Sequence, residues 1–461
     1  MRSGIRTLGI AVGALALLVC LVGSAAAQTY TVTRTDDPSP APCEPTNCSL
    51  RQALEAANMT TTVDDVVVVP ASSEPYILQY EELALPIADE VEVRGAGADK
   101  TVIKGDGKES IFFVGAKATL AGLTITGGTS AIQSNAELLV RGVSIEGNKW
   151  NGGTAGIISN GPLTVESSFL GFNRTENVTG GVIHSNAPVT IVNSTIAQNV
   201  SKEGPGVIST AAGVPVSIFS SAVVSNRSET GPMAAVGGTP LTLRNNVFAD
   251  NRDAIGLRNC ASSGGLSSFG GNVSDDGSCG SGATDKPNVN PLLGALALHG
   301  GTTLVYELLP GSPAIDAAIE CPAVDQRGVA RPQGPACDSG PYEYVPPSPP
   351  PPGDTELAMR LGKGKLFVSR KGRTKVRLSC PSSEATPPCS GKVKLAGRFS
   401  ASAKFKIGAG KTKAVVLRLP RSAVTFLKEN PKKRKVRVVV RARDGAGNQQ
   451  VIKQKRQLVP R

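Results

Sequence analysis

One eleven-residue phrase constrains the fold of this 461-residue chain more than any other feature. It reads apolar-x-apolar-x-x-(small or apolar)-x-apolar-x-x-Asn, with Gly128 in place of Asn in the first copy. The six copies start 20, 25, 26, 27 and 25 residues apart. They span Ala118–Gly128, Leu138–Asn148, Leu163–Asn173, Val189–Asn199, Val216–Asn226 and Leu241–Asn251. Self-similarity at such a period indicates a repeat architecture.

Each phrase predicts two short strands that meet at a tight corner. Alternating apolar residues such as Leu138 and Val140 place one face of the strands in a core. The corner falls on small or turn-prone pairs, because Gly and Asn adopt left-handed backbone angles at little cost. These pairs are Ala121-Gly122, Arg141-Gly142, Asn193-Ser194 and Asn245-Asn246. With no helix indicated between copies, the sequence predicts a parallel β-helix that rises by ~4.8 Å per coil.

The Asn that closes each phrase predicts a second corner, where stacked amides hydrogen-bond from coil to coil. These residues are Asn148, Asn173, Asn199, Asn226 and Asn251. A leucine-rich repeat would need a denser Leu pattern and often a helix on the return leg. A propeller would need ~40 residues per blade. The phrase fits neither alternative.

The residues before the phrases predict a capped entry to the solenoid. Thr29–Thr35 is an expected strand. Ser49 and Gln52 form a capping-box pattern at the start of an expected helix that ends at Asn58, with its apolar residues on one face. A solenoid needs such a cover, since its first coil exposes core and unpaired strand edges. Further entry strands are expected at Val66–Val69, Val91–Arg94 and Thr101–Ile103.

Residues 1–27 have the pattern of a secretory signal peptide, and no other stretch is apolar and long enough to span a bilayer. The eight cysteines after residue 27 form four pairs that are close together in sequence, and this pattern predicts disulfides in an oxidising compartment. The couples are Cys43 with Cys48, Cys260 with Cys279, Cys321 with Cys337, and Cys380 with Cys389. No metal site is expected from them. We therefore expect a secreted or extracellular protein, including one associated with the cell envelope.

Charge divides the chain into two modules. From Asp354 onward there are 29 Lys and Arg against 5 Asp and Glu, or +24, which leaves 20 against 32, or −12, in residues 1–353. A Pro-rich linker is expected at 345–353, between a β-helix region at 28–344 and a basic domain at 354–461. Short alternating strands in the basic domain predict a small β-sandwich of immunoglobulin type.

Two further motifs resemble those of a known family. Cys48–Asn58 resembles the CSLREA-type N-terminal motif of exported bacterial β-helix proteins, with Gln52 in place of its Glu. The segments LLPGSPAIDAA, DQRG, RP and CDSGPYE are similar to the C-terminal signature of the choice-of-anchor Q family, although Ser339 and Pro341 replace its usual Ile and Ala. The resemblance covers about residues 43–344. It implies a secreted or surface-displayed right-handed β-helix, followed by a variable attachment module, and assigns no chemistry.

Three carboxylates, Glu146, Glu166 and Asp250, are the catalytic candidates. A polysaccharide lyase would place Ca²⁺-binding carboxylates and a basic catalyst on stacked strands, and a glycoside hydrolase would bring two or three carboxylates within ~5–10 Å. When the six phrases are aligned with one another, these three residues fall in different columns. Glu166 lies one coil from Arg141, and this placement predicts an ion pair. No cofactor is expected unless the lyase alternative holds, and only then Ca²⁺.

The residue after each corner Asn predicts a basic stripe for a polyanionic chain, beside a tryptophan suited to stacking on a sugar. The candidates are Lys149, Trp150, Arg174, Arg227 and Arg252, with Val200 interrupting the column. The alternative is a solvated turn edge. In the basic domain, polyanion-binding candidates lie in an expected strand: Lys432, Lys433, Arg434 and Lys435. Few aromatic residues accompany them, so no specific nucleic acid is expected.

These observations together predict an exported, monomeric β-helix protein that is non-catalytic and binds glycan or envelope polymer for adhesion or display. The basic domain is the expected electrostatic attachment module, and its partner is an anionic cell-wall polymer or extracellular polysaccharide. The alternative is a lyase or hydrolase that acts on acidic polysaccharide along the β-helix face.

Overall fold

The protein is described by a computed structural model, which divides into two compact units between Pro346 and Pro347. The described residues are 27–60, 64–79, 84–176, 180–230, 235–237, 240–261, 265–280, 282–346, 357–382 and 387–461. The expected signal peptide, except Ala27, and the expected linker from residue 347 onward lie outside them. None of the helices in these ranges has both the length and the hydropathy that a membrane span requires.

The first unit is a parallel β-helix of about seven turns, as the phrase predicts. The two strands of each phrase belong to sheets A and B, which meet at the predicted corner. Sheet A contains Thr29–Thr31, Asp65–Val69, Val91–Gly95, Ala118–Ala121, Leu138–Arg141, Leu163–Glu166, Val189–Val192, Val216–Phe219, Leu241–Arg244 and Leu266–Ser268. Sheet B contains Tyr76–Ile77, Val102–Lys104, Thr124–Thr126, Ser144–Glu146, Phe169–Gly171, Thr195–Ala197, Ala222–Val224, Val247–Ala249 and Val273–Ser274.

The return leg of each coil adds two further sheets that the sequence does not predict. Sheet C contains Lys149–Trp150, Arg174–Thr175, Val200–Ser201, Arg227–Ser228, Arg252–Asp253 and Gly256–Leu257. Sheet D contains Leu85–Ile87, Phe112–Val114, Ile132–Ser134, Ile157–Ser159, Ile183–Ser185, Ile208–Thr210, Val236–Gly237 and Cys260–Ala261. Strands of two or three residues are too short to show an alternation, so only pairing with neighbouring coils defines them.

Aliphatic side chains fill the interior in continuous stacks. Leu138 pairs with Leu163 and Val140 with Val165, and all four side chains are buried. Because the strands pair in parallel without a slip in register, every inward position of one coil meets an inward position of the next. Each fully buried aliphatic side chain contributes roughly 1.5–3 kcal/mol.

Left-handed residues form both corners. At the first corner φ is 63° at Gly122, 61° at Gly142, 53° at Asn193 and 57° at Asn245, which confirms the predicted pairs. At the second corner the left-handed residue directly precedes the closing Asn. Non-glycine side chains with φ near 55° occupy several of these positions, namely Phe172, Gln198, Ser225 and Asp250. Such residues persist only where the surroundings hold the backbone in place.

The closing asparagines supply that support as the predicted amide ladder. Asn199 Oδ1 accepts from the backbone N–H of Asn173 at 3.1 Å and from its Nδ2 at 3.0 Å. Asn199 Nδ2 donates to Leu170 O and to Asn226 Oδ1, each at 2.9 Å. Asn173 and Asn226 repeat this arrangement, Asn148 and Asn251 form the ends of the ladder, and all four side chains are buried.

A second ladder lines the first corner and ends on a carboxylate. Ser168, Ser194 and Ser221 each accept, through Oγ, the backbone N–H of the preceding coil at 3.1 Å. Asn272 continues the ladder, and its N–H and Nδ2 donate to Asp285 Oδ1 at 2.9 and 3.0 Å. The closing carboxylate satisfies donors that would otherwise be unpaired at the end of the stack.

A helix covers the N-terminal coil as predicted, over Leu50–Ala57. Ser49 and Gln52 form the capping box, and the pair of Asp37 and Arg51 is buried beside it, with an O–N distance of 2.8 Å. All four predicted disulfides form: Cys43–Cys48, Cys260–Cys279, Cys321–Cys337 and Cys380–Cys389.

Residues 293–344, called the strap, cover the outer face of the later strands of sheet B, from Thr195–Ala197 onward. The strap begins with an antiparallel hairpin of Leu293–Ala297 and Val305–Leu308. Its apolar side chains pack on small outward residues of sheet B, with Leu308 and Ala314 joining Ala222, Val224, Val247 and Ala249 in one buried cluster. Polar contacts reach further along the solenoid, since Thr195 Oγ1 donates to Gln326 Oε1 at 2.7 Å.

The second unit consists of two sheets that enclose one core, the predicted β-sandwich. Sheet E contains Arg360–Leu361, Leu366–Val368, Arg373–Ser379 and Thr412–Arg418. Sheet F contains Cys389–Ala396, Ala401–Ile407, Lys435–Arg443 and Gln449–Pro460. The last strand joins the sheets, because Leu458–Pro460 pairs in parallel with Leu366–Val368. A helix at Arg421–Glu429 and a 3₁₀ turn at Pro431–Lys433 were not predicted.

Candidate functional sites

The basic stripe predicted after the corner asparagines does form one column, on sheet C. Lys149 pairs with Arg174, Arg174 with Val200, Val200 with Arg227, and Arg227 with Arg252. Parallel pairing without a register shift brings these residues together across five coils. Val200 has no charged group, and the long Arg174 side chain extends past it to Glu229.

Carboxylates neutralise most of this column. Arg174 bonds to Glu176 at 2.6 Å and to Glu229 at 3.1 Å, and these bonds raise the pKa of Arg174. The hydrogen bond from Arg174 lowers the pKa of Glu176, which also lies 3.5 Å from Lys149. Arg252 pairs with Asp250 at 2.8 Å. Within the described part of the unit only Arg227 of the column forms no ion pair, so three of the four cations of the column are paired with carboxylates.

Trp150, the proposed sugar-stacking residue, is half-buried. Its indole ring lies against the backbone of Gly152 and Gly153, where an added Cβ would come within 2.8 Å of the ring at either position. Neighbouring residues of its own loop therefore cover part of the ring surface.

The three catalytic candidates lie apart, as the alignment predicts. Glu146 is on sheet B and accepts from Ser144 Oγ at 2.9 Å. Glu166 is on sheet A, where Arg141 donates to it at 2.8 Å. Asp250 is at the second corner and pairs with a column residue. Nowhere in the described ranges do three or more His, Cys, Asp or Glu side chains form a group suited to a metal ion.

The C-terminal signature segments form a buried charge network within the strap. The side chains of Arg331 and Glu343 are fully buried, with 3.7 Å between Arg331 Nη1 and Glu343 Oε2. Arg331 also donates to the carbonyl oxygens of Asp338 and Gly340, each at 2.8 Å. Burial raises the pKa of Asp338 to about 6. The side chains of this network hydrogen-bond to strap backbone and so hold the strap in shape, and of them Asp338 also lines a cavity of about 410 Å³.

The strongest charged surface of the described chain is the outer face of sheet F. Ten exposed basic side chains alternate with buried or half-buried residues along its strands, and these strands contain no Asp or Glu. They are Lys392, Lys394, Lys404, Lys406, Lys435, Arg437, Arg441, Arg443, Lys453 and Lys455. No ion pair forms within residues 357–382 and 387–461.

Only one of the predicted polyanion-binding residues lies on this face. Of the basic run, Lys435 alone lies on it, opposite Gln457. Lys432 and Lys433 belong to the 3₁₀ turn, and Arg434 donates through Nε to Leu427 O at 2.7 Å. The expectation that one strand runs through the whole basic segment was therefore wrong. The signal for this face was the i, i+2 spacing of basic residues in four separate strands, an alternation that predicted strands but was not taken to indicate a binding surface.

Fold and surface together define a disulfide-tied parallel β-helix protein with a separate, strongly basic β-sandwich unit. Comparisons of the chain with protein-family models, with curated proteins and with solved structures give no match.

Proposed function

We propose that this chain is an exported surface or matrix protein whose β-helix is displayed by a basic attachment unit. The unit attaches by electrostatic binding to an anionic polymer of the envelope or extracellular matrix. The observation that carries the proposal is the absence of any ion pair in the described part of the second unit. All 29 of its basic residues lie in that part, with only Glu429 and Asp444 as acidic residues.

The charge of the second unit supports binding because it is costly to the unit itself. Like charges concentrated on a small domain repel each other and destabilise the compact state. A polyanion relieves that repulsion and releases its own counterions, so binding is favourable and weakens steeply as salt rises. In the β-helix, in contrast, carboxylates pair with three of the four cations of the basic column.

Four disulfides and the signal-like residues 1–27 support an extracellular location. The CSLREA-type and choice-of-anchor-type motifs support the same role, because their resemblance implies surface display with a variable attachment module. In this proposal the β-helix is a non-catalytic binding surface for glycan, and its exposed sheets are free to contact a host or matrix.

The test is depletion of the chain Gln28–Arg461 from solution by envelope preparations and acidic polysaccharides, at low and high salt. We expect salt-sensitive depletion that is lost when residues 354–461 are deleted, with no new chain ends on the polymer. Fluorescence of Trp150, the single tryptophan, verifies that the deleted form retains its β-helix. Depletion that survives the deletion, or new reducing or unsaturated ends, would overturn the proposal.

A further inference from the structure

The outer face of sheet F is not a uniform positive surface. Lys392 lies directly opposite Lys404 on one side and Arg441 on the other, so three cations stand in a row across adjacent strands. Arg437 lies opposite Lys455 in the same way. Cross-strand neighbours of like charge destabilise a sheet. No carboxylate in these strands offsets the repulsion.

These cations form a diagonal band. It runs from Lys404 and Lys406 on one edge strand, through Lys392 and Arg441, to Lys455 near the other edge. Neighbouring positions are ~4.8 Å apart across strands and ~7 Å apart along a strand. The band is therefore suited to a chain with closely and regularly spaced anionic groups.

Two depressions lie at the ends of this band. One, of about 750 Å³, is lined by the basic residues Lys392, Lys404, Lys406, Lys413, Arg441 and Arg443. The other, of about 870 Å³, is lined by Lys365, Lys435, Arg437, Lys455 and Arg456. The face therefore offers concave, cationic sites at both ends of one extended path.

Two valines interrupt the positive charge in the middle of the band. Val451 is 52% exposed and lies opposite Arg441. Val439 is half-buried between Lys394 and Lys453. A polymer that matches this surface presents apolar C–H groups as well as negative charges.

We propose that this band is the docking face for an acidic polysaccharide, a linear glycan with carboxylates on its sugar rings. The inference rests on the proposed function and names its partner and location. Sugar carboxylates pair with the cations, while the C–H faces of the rings pack on Val439 and Val451. Polyphosphate has no such apolar face. A single-stranded nucleic acid would use aromatic stacking, and the only aromatic residue of these strands, Phe405, is buried.

Sheet E provides a matched control. Its strand Arg373–Ser379 carries Arg373, Lys375 and Arg377, all exposed. Two triple variants of the full chain then remove equal charge. The band variant is Lys392→Gln, Lys404→Gln and Arg441→Gln, and the control variant is Arg373→Gln, Lys375→Gln and Arg377→Gln.

Binding of each protein to polygalacturonate is measured across a salt series, with polyphosphate and single-stranded DNA as parallel arms. We expect the band variant to lose at least about tenfold in affinity and to lower the salt slope by about two to three. The control variant should change affinity less than about threefold. The double variant Val439→Ser and Val451→Ser should weaken binding of polygalacturonate and leave binding of polyphosphate unchanged.

Each other outcome overturns a distinct claim. Equal losses in the two triple variants would refute the docking face and leave electrostatic attachment intact. Tighter binding of polyphosphate or DNA than of polygalacturonate by the wild type would refute the assignment to acidic polysaccharide. No binding of any polyanion by the wild type would refute the proposed function itself. Calorimetry verifies folding, and relief of the repulsion should leave the transition of the second unit unchanged or raise it.

Discussion

Replacement of Asn199 by Ala tests whether the amide ladder holds the second corner of the β-helix. Asn199 is buried near the middle of the ladder, with two hydrogen bonds donated to its Oδ1 and two donated by its Nδ2. We expect the substitution to destabilise the β-helix without changing its apolar core.

The magnitude follows from the groups that lose their partners. The backbone N–H of Asn173 is left buried without an acceptor, which costs roughly 1–3 kcal/mol. Asn173 Nδ2 keeps its bonds to Ile145 O and Gly171 O, so its loss is smaller. The bonds to Leu170 O and Asn226 Oδ1 add roughly 0.5–1.5 kcal/mol each. The free energy of unfolding should therefore fall by roughly 2–6 kcal/mol.

The matched control is Asn186→Ala in the exposed ladder beside sheet D. Asn186 Nδ2 donates to Asn160 Oδ1 at 2.7 Å, but both side chains face solvent. Water replaces the lost bond there, so the expected change is within about 0.5 kcal/mol. The contrast between these two variants separates burial of the amide from the mere presence of a ladder.

Equilibrium urea unfolding, followed by Trp150 fluorescence, measures both variants. The second unit contains no tryptophan, so the signal reports the β-helix alone. A loss below about 1 kcal/mol in Asn199→Ala, or a loss equal to that of Asn186→Ala, would refute the argument. It would mean that aliphatic stacking alone holds the corner.

Three further predictions concern the strap and the sandwich. Arg331→Ala should destabilise the β-helix by roughly 3–5 kcal/mol in the same urea assay, because Glu343 is left as an unpaired buried charge. The control is Arg94→Ala, which removes an exposed ion pair and should cost under about 1 kcal/mol. Burial raises the pKa of Asp338 to about 6, above its ordinary value, so the folded state holds a proton that the unfolded state loses. Stability should therefore be lost as pH rises from about 4 through 6, and Asp338→Asn should flatten that decline in the unfolding midpoint; an unchanged profile would contradict this. Gly391→Ala should lower the calorimetric transition of the second unit and leave the β-helix transition in place, because an added Cβ would lie 2.1 Å from a carbonyl oxygen of the neighbouring strand.

The local sequence pattern was sufficient to predict the fold wherever one coil resembles the next. The phrase specifies inward positions through alternation, and its Gly and Asn pairs specify the corners, since both properties depend on nearby residues alone. The stacking of equivalent side chains then follows, because similar coils pair without a register shift. For the same reason the Asn ladder and the basic column were predictable as columns.

Only the tertiary structure decided which residues from elsewhere in the chain contact those columns. Glu229 reaches Arg174 from two coils away, and Asp285 closes the second ladder from a loop with no repeat. Gln326 of the strap reaches Thr195 across 131 residues of sequence. None of these contacts has a periodic signal, because each depends on where the chain returns. The cationic face of sheet F arises in the same way, because its four basic strands become neighbours only through antiparallel pairing.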